Sequence, residues 1–263
     1  MAVGDLHGDA AVFRCVLRLA GLFDEERGGW IGGNTVLVQI GDVLDRGDEE
    51  LELLKLVRRL KSEASLSGGQ VITMLGNHEV LNAAGVTIYA SPKSKLTFPS
   101  RETAFLAGGE IAAELATWPV ACVVGDTAFC HAGLTVAQAK LGLEAGNREA
   151  ADWLLGASSS PLPPEMLWPR SPQSPRSPLW MRDLSDPPMS EPAPAACTEL
   201  SQALSILGAR RLVVGHTVQR DITCGCDCSV FRVDVGLSAA MGGGLPQVLD
   251  ISRDGTVRVL AKA

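Results

Sequence analysis

The four histidines of this 263-residue chain all sit in short glycine-flanked motifs that follow one another in order: Gly4-Asp5-Leu6-His7-Gly8, Gly76-Asn77-His78-Glu79, His131-Ala132-Gly133 and Gly215-His216-Thr217. Between the first two lies Gly41-Asp42-Val43-Leu44-Asp45-Arg46-Gly47. Asp, His and Asn supply the oxygen and imidazole ligands that suit Mn, Fe or Zn. Two divalent ions about 3.5–4 Å apart clamp the attacking and leaving oxygens of an in-line displacement, and such a pair needs one bridging carboxylate plus separate ligands for each ion. Asp42, in the central motif, is the natural bridge. Asp5 and His7 then complete one ion, and Asn77, His131 and His216 the other. A hydroxide between the ions is the expected nucleophile, because coordination brings the pKa of water from ~15.7 to near 7. The leaving group needs a general acid. His78 is left over from the ligand count, and Asp45 can orient its imidazole, as carboxylates behind metal sites commonly do. Arg46 offers a planar fork for two phosphate oxygens, with Asn77 beside it. One Asp-x-His or Gly-Asn-His triplet carries little information. Five motifs in order, using every histidine, predict metal-assisted hydrolysis of a phosphate ester.

Each motif starts where a strand is expected to end. Met1–Asp5, Thr35–Ile40 and Gln70–Leu75 read as strands; Asp9–Phe23 and Glu49–Ala64 read as amphipathic helices between them. In an α/β sheet, ligands bind at the carboxyl ends of the strands, so three such ends bring Asp5, His7, Asp42 and Asn77 together. Further helices are expected at Thr103–Ala116, Val136–Leu155 and Thr198–Leu207. Val120–Val124 and Thr127–Cys130 read as a hairpin with His131 at its exit. Arg211–Val214, Val230–Val235, Pro246–Ile251 and Thr256–Leu260 are expected to finish a second sheet. The chain reaches Gly4-Asp5 after three residues, which predicts that the first strand continues upstream and that any transit peptide lies there. An intracellular, soluble protein of cytoplasm or plastid is the expectation for location.

The length and a hydrophobic content of 46% suit a single domain, 1–263, with a sizeable core. Residues 161–194 hold eleven of the fifteen prolines, which predicts a Pro/Ser-rich insertion over about 157–196. Leu179-Trp180-Met181-Arg182 is too apolar for a linker and is expected to dock on the body. A net charge of −7 and 5% aromatics exclude nucleic-acid backbone binding and base stacking as the main activity. No apolar run reaches the ~18 residues of a membrane span. Cys15, Cys122 and Cys130 lie in apolar stretches and read as buried small hydrophobes. Cys224, Cys226 and Cys228 alternate, so in a strand they share one face; a metal or redox role and a hairpin that merely carries thiols both fit.

These motifs closely resemble those of the calcineurin-like metallophosphoesterases and, within them, the phosphoprotein phosphatase family, which reads GDxHG, GDxxDRG, GNHE, HGG or HAG and a late His. The resemblance spans residue 4 to about 240. It looks strongest to the Shewanella-like protein phosphatases, through GDVLDRGD at 41–48, GNHEVLN at 76–82 and Val233-Asp234-Val235-Gly236. The resemblance implies an α/β fold of two mixed sheets packed as a sandwich and flanked by helices, a two-metal centre of Mn, Fe or Zn, and a phosphoprotein substrate carrying phosphoserine, phosphothreonine or phosphotyrosine. It also implies a second phosphate-holding arginine, for which Arg182 is the candidate and Arg220 the rival. The chain departs from the eukaryotic branch at Leu75, where that branch has Arg, at Ala132, and in having Tyr89 as its only tyrosine, which implies poor sensitivity to the toxins that block that branch. Val218 and Gln219 stand where phosphodiesterase branches carry a second histidine. A symmetrical dinucleoside tetraphosphatase, which also uses HAG, is the enzymatic alternative; a phosphoprotein-binding pseudophosphatase or thiol sensor is the non-enzymatic one.

Overall fold

The structure is a computed structural model that describes residues 1–98, 100–169 and 176–261. In chain order the elements are β1 (Ala2–Val3), α1 (Ala10–Leu19), β2 (Phe23–Asp24), β3 (Gly29–Trp30), β4 (Val36–Gln39), α2 (Glu50–Leu66), β5 (Gln70–Thr73), α3 (Asn77–Ala83), α4 (Pro92–Thr97), α5 (Arg101–Phe105) and α6 (Glu110–Leu115). They continue with β6 (Ala121–Val124), β7 (Thr127–Cys130), α7 (Val136–Leu141), α8 (Leu143–Leu154), α9 (Pro194–Leu207), β8 (Arg211–Val214), β9 (Thr223–Gly225), β10 (Val230–Arg232), β11 (Gln247–Ile251) and β12 (Val257–Ala261).

Two five-stranded mixed sheets carry the fold, in the orders β12-β11-β1-β4-β5 and β6-β7-β8-β10-β9. The strands that lead into motifs are the parallel ones. β1 pairs with β4 and β4 with β5 in one sheet; β7 pairs with β8 and β8 with β10 in the other. Parallel neighbours put their carboxyl ends on one edge, so five loops arrive side by side. Both sheets feed one buried apolar cluster, with Val3, Leu37 and Val38 from the first and Phe129, Val213 and Phe231 from the second. On α2, Leu53, Leu54, Val57 and Leu60 form the buried stripe. The fold class expected from the sequence is the one observed.

Several local expectations are corrected. β11 and β12 join the first sheet, because β11 pairs antiparallel with β1, Ala2 opposite Leu249. The helix expected over Thr103–Ala116 is two helices separated at Gly108, which has φ +87°, and Gly109. The helix expected over Val136–Leu155 breaks at Gly142, whose φ is +89°. α9 starts four residues early, with Pro194 in its first turn, where a missing N–H costs nothing.

The reading of Cys224, Cys226 and Cys228 as strand residues on one face is also corrected. β9 ends at Gly225, and Cys226, Asp227 and Cys228 turn through left-handed φ of 53°, 52° and 55°. The turn brings Cys228 back to Cys224 and sends Cys226 to α9, giving the disulfides Cys224–Cys228 and Cys197–Cys226. Cys15, Cys122 and Cys130 are free, with Cys130 fully buried. The bond across the 29-residue separation between Cys197 and Cys226 is worth about 3.6 kcal/mol by loop closure. The double variant Cys197→Ser/Cys226→Ser is expected to lose that much in a non-reducing denaturant titration and to match the parent chain once reductant is added.

The expected insertion contains no helix or strand between α8 and α9 among its described residues; residues 170–175 of it lie outside the described residues. Its Leu167, Leu179 and Met181 are buried, so the Leu179–Met181 piece docks on the body as expected. Among the described residues no helix is long and apolar enough to cross a membrane.

Candidate active site

Four of the five motif loops line a cavity of about 710 Å³, through His7, Asp42, Asn77 and His216, and the fully buried His131 reaches Asp42 from the fifth. Asp42 is the centre. Its Oδ2 lies 3.7 Å from His7 Nε2 and 3.4 Å from His131 Nε2. One set of potential ligand atoms comprises His7, Asp42 and His78, and a second comprises Asp42, His131 and His216, each within 4.8 Å of one another. The shared carboxylate is what the sequence assigned to a bridge. Asn77 joins the second set, its Oδ1 3.1 Å from His131 Nε2. Asp5 lies outside both sets, and its carboxylate accepts the backbone N–H of His216 at 3.2 Å.

The imidazoles are held from behind. His7 donates Nδ1–H to the Leu44 carbonyl at 3.0 Å and His131 to the Ile40 carbonyl at 2.9 Å, leaving Nε2 free on the side of Asp42. Fixing one ring nitrogen this way is how proteins set the tautomer of a metal-binding histidine. Burial lowers the His216 pKa well below its ordinary value, with His131 and Arg182 adding to it, which favours the neutral ring. Burial likewise lowers His7.

The carboxylates meet the opposite condition. Asp5, Asp42 and Asp234 are each 2% exposed. Burial, then Asp234 and Asp42, push the Asp5 carboxyl well above the usual range, and burial raises Asp234 to about 6. A buried group of like charges is costly unless cations neutralise it. Oxygen donors, neutral imidazoles and a shared carboxylate fit a pair of divalent ions.

Backbone geometry is bent to make this arrangement. His7, Asp42, Asp45, Arg46 and His216 all have positive φ, between 41° and 68°. Non-glycine residues in that region mark positions imposed by their surroundings. A Cβ on Gly76 would stand 2.2 Å from Asp42 Oδ1, so only glycine lets the third strand end approach the second. Glu79 ties those two loops together. It is fully buried, and its carboxylate accepts N–H bonds from Asp42 (2.9 Å), Val43 (3.0 Å), Leu44 (3.0 Å) and Gly76 (2.7 Å). Glu79 enters the sequence reading only as the last residue of its motif. Its position two residues after Asn77, at the start of α3, was the available signal.

His78 donates Nδ1–H to Asp45 Oδ2 at 2.6 Å. Burial pulls the His78 pKa down, but the Asp42 and Asp45 carboxylates outweigh it and the net direction is up. Arg46, Arg182, Asn77, Trp168 and Trp180 line the cavity. Arg182 donates to Thr217 Oγ1 at 2.7 Å, whereas Arg220 pairs with Asp221 at 2.7 Å and is not part of the lining. Tyr89, which the sequence left without a role, lies under Arg46, 4.3 Å from the guanidinium to the ring centroid, and packs edge-on to His78 at 5.1 Å.

Two His/Asp clusters that share Asp42, below a cavity lined by Arg46 and Arg182, are the kind of site found in metallophosphoesterases. Residues 1–220 match the calcineurin-like phosphoesterase family, and the chain belongs to it; it is a hydrolase of the metallophosphatase type, a family built on a dinuclear metal centre. Among curated relatives it is 33% identical to Shewanella-like protein phosphatase 2 of Arabidopsis thaliana, over 99% of this chain and 76% of the relative. It is 31% identical to Shewanella-like protein phosphatase 1 of Plasmodium berghei, over 94% of this chain and 69% of the relative. The fold matches a solved cold-active protein tyrosine phosphatase with a TM-score of 0.77 at 22% identity, covering 99% of this chain and 79% of that one.

Proposed function

We propose that the chain is a protein phosphatase that hydrolyses phosphoserine or phosphothreonine, with phosphotyrosine as a further substrate, and that it works as one domain with 157–196 inserted near the cavity. The observation that carries this reading is Asp42, fully desolvated and shared between two histidine sets beneath a cavity that Arg46 and Arg182 line. Asp5, His7 and Asp42 would hold one ion, and Asn77, His131, His216 and Asp42 the other, leaving His78 Nε2 uncoordinated. Two divalent ions bound there, with Mn the first candidate and Fe or Zn the alternatives, would supply an acidified water and neutralise charge on the phosphoryl group. Arg46, Arg182 and Asn77 bind phosphate oxygens from the cavity side. His78, oriented by Asp45, gives its proton to the leaving oxygen.

Arg182→Ala is expected to lower kcat/KM by about ten- to a hundredfold, the scale of one charge-assisted hydrogen bond to a phosphate (roughly 1.5–3 kcal/mol), while Arg220→Ala stays near the parent value. Equal effects would remove Arg182 from the phosphate site. The proposal as a whole is tested by assaying Mn²⁺-loaded protein on a phosphoserine/phosphothreonine peptide, a phosphotyrosine peptide and diadenosine tetraphosphate side by side, with His78→Asn as control. Peptide hydrolysis lost in His78→Asn supports it. Hydrolysis of the dinucleotide alone would leave the metal site standing and replace the substrate class.

A further inference from the structure

Behind His78 lies a buried polar network whose hub belongs to no motif. Its hub is Arg101, the first residue of α5, which is 3% exposed. Arg101 Nη2 lies 2.9 Å from Asp45 Oδ1, 2.7 Å from Asn82 Oδ1 and 3.0 Å from Glu50 Oε1, and Nη1 pairs with the other Glu50 oxygen. Asn82 in turn donates to Asp45 Oδ1 at 3.1 Å and to the His78 carbonyl at 2.9 Å, and Glu50 Oε1 accepts the Asp45 backbone N–H at 2.6 Å. The guanidinium lies over the Phe105 ring, 4.7 Å from its centroid. Asp45, Glu50 and Asn82 are each no more than 2% exposed.

The geometry divides the labour of the Asp45 carboxylate. Oδ1 is taken by Arg101 and Asn82, and Oδ2 is left to His78. A carboxylate held at one oxygen by the Nη2 of a guanidinium that Glu50 clamps through both nitrogens, and by Asn82, is kept from rotating away from the imidazole it orients. Asp45 sits at φ 68°, a backbone position that a non-glycine residue keeps only when its surroundings over-determine it. Glu50, from the first turn of α2, and Arg101 provide that surrounding.

We propose that Arg101 is a positioning residue for leaving-group protonation: by pinning Asp45 it aims the free nitrogen of His78 at the oxygen that departs. The inference rests on the reading of His78 as the acid. In the step concerned, the oxygen of water forms a bond to phosphorus, the bond from phosphorus to the leaving oxygen breaks, and that oxygen takes the His78 Nε2 proton. The proton shed by the attacking water balances the loss and restores His78.

The test compares two substrates that differ in their need for an acid. p-Nitrophenolate leaves without protonation, whereas the serine oxygen of a phosphoserine peptide does not. Arg101→Ala is expected to lose on the order of tenfold more kcat on the peptide than on p-nitrophenyl phosphate, a part of the 10²–10⁴-fold that general acid catalysis supplies. Added guanidinium should restore the peptide reaction selectively. Arg101→Lys, which keeps the buried charge but not the fork, should show the same bias in smaller measure, and it decides the matter if the alanine variant does not fold. Equal losses on both substrates, or an unchanged ratio in Arg101→Lys, would overturn the proposal. His78→Asn assayed in parallel separates the two readings. If it shows the bias and the Arg101 variants do not, only the positioning role fails; if it shows none, the acid assignment falls and takes the inference with it.

Discussion

Asp42→Asn is expected to abolish phosphoester hydrolysis, lowering kcat/KM by at least about a thousandfold, roughly 4 kcal/mol of transition-state stabilisation. The size of the effect follows from position. Asp42 is the only carboxylate common to both ligand sets, so its charge serves both ions at once. Shape is conserved in the variant: the Asn oxygen can still accept the His78 N–H that Asp42 Oδ1 accepts at 3.0 Å, and the Asp42 carbonyl still receives the N–H groups of Leu6 and His7. Against the upward pull of burial, His131, His78 and His7 hold the Asp42 carboxyl well below its usual range, so metal-free stability should be kept only at a pH high enough to leave these imidazoles uncharged, and should fall below it. Asp42 contributes to the raised pKa values of Asp5, Asp234 and Glu79, so removing its charge relieves repulsion among buried carboxylates. Steady-state kinetics and a thermal melt without metal check both halves. An inactive variant destabilised even at that higher pH would mean that Asp42 acts by holding the loops.

Glu79→Ala should do the reverse, damaging the scaffold before the chemistry. The side chain takes two N–H bonds on each oxygen, Val43 and Leu44 on Oε1, Asp42 and Gly76 on Oε2. Truncation leaves four buried donors without partners. One such orphan costs about 1–3 kcal/mol, and with partial relaxation the set is expected to cost roughly 3–5 kcal/mol, a large share of a typical domain's stability. For a chain of this size that lowers the melting temperature by about 10 °C. Glu79→Gln is expected to be nearly as severe, because its amide nitrogen would face two N–H donors in place of an acceptor. Burial and Asp42 push the Glu79 carboxyl up to about 7, so the cost of keeping it charged beside Asp42 is already part of the native protein. A melt of either variant within a degree or two of the parent would contradict this account.

The contrast between these two residues shows how far the sequence carries. Asp42, its neighbours and the order of motifs were legible, because metal chemistry restricts residue type and parallel strand ends restrict placement. Glu79 was visible in the same motif, but four donors converging from two loops is a property of folded backbone and has no spacing rule. Arg101 is further away still. It meets Asp45 across 56 residues and lies in no motif. Asp5 was assigned with His7; that its carboxylate also accepts the His216 N–H, a contact across 211 residues, had no local signal. Distance also explains the strand misplacement: β11 joins β1 through the pair Ala2–Leu249, and nothing local to residues 247–251 announces a partner at the opposite end of the chain. The cysteines failed for the opposite, local reason. Alternation places side chains on one face only while the backbone stays extended, and three successive left-handed residues end that condition at Cys226.

The central claim is that one buried carboxylate joins two ion sites. Metal content measured by mass spectrometry on Mn²⁺-loaded, desalted protein tests it most directly, with the parent chain and Asp42→Asn side by side. Two ions per parent chain and no more than one in Asp42→Asn, with hydrolysis lost, is the expected result. One ion or none in the parent, or two retained in Asp42→Asn, would contradict it.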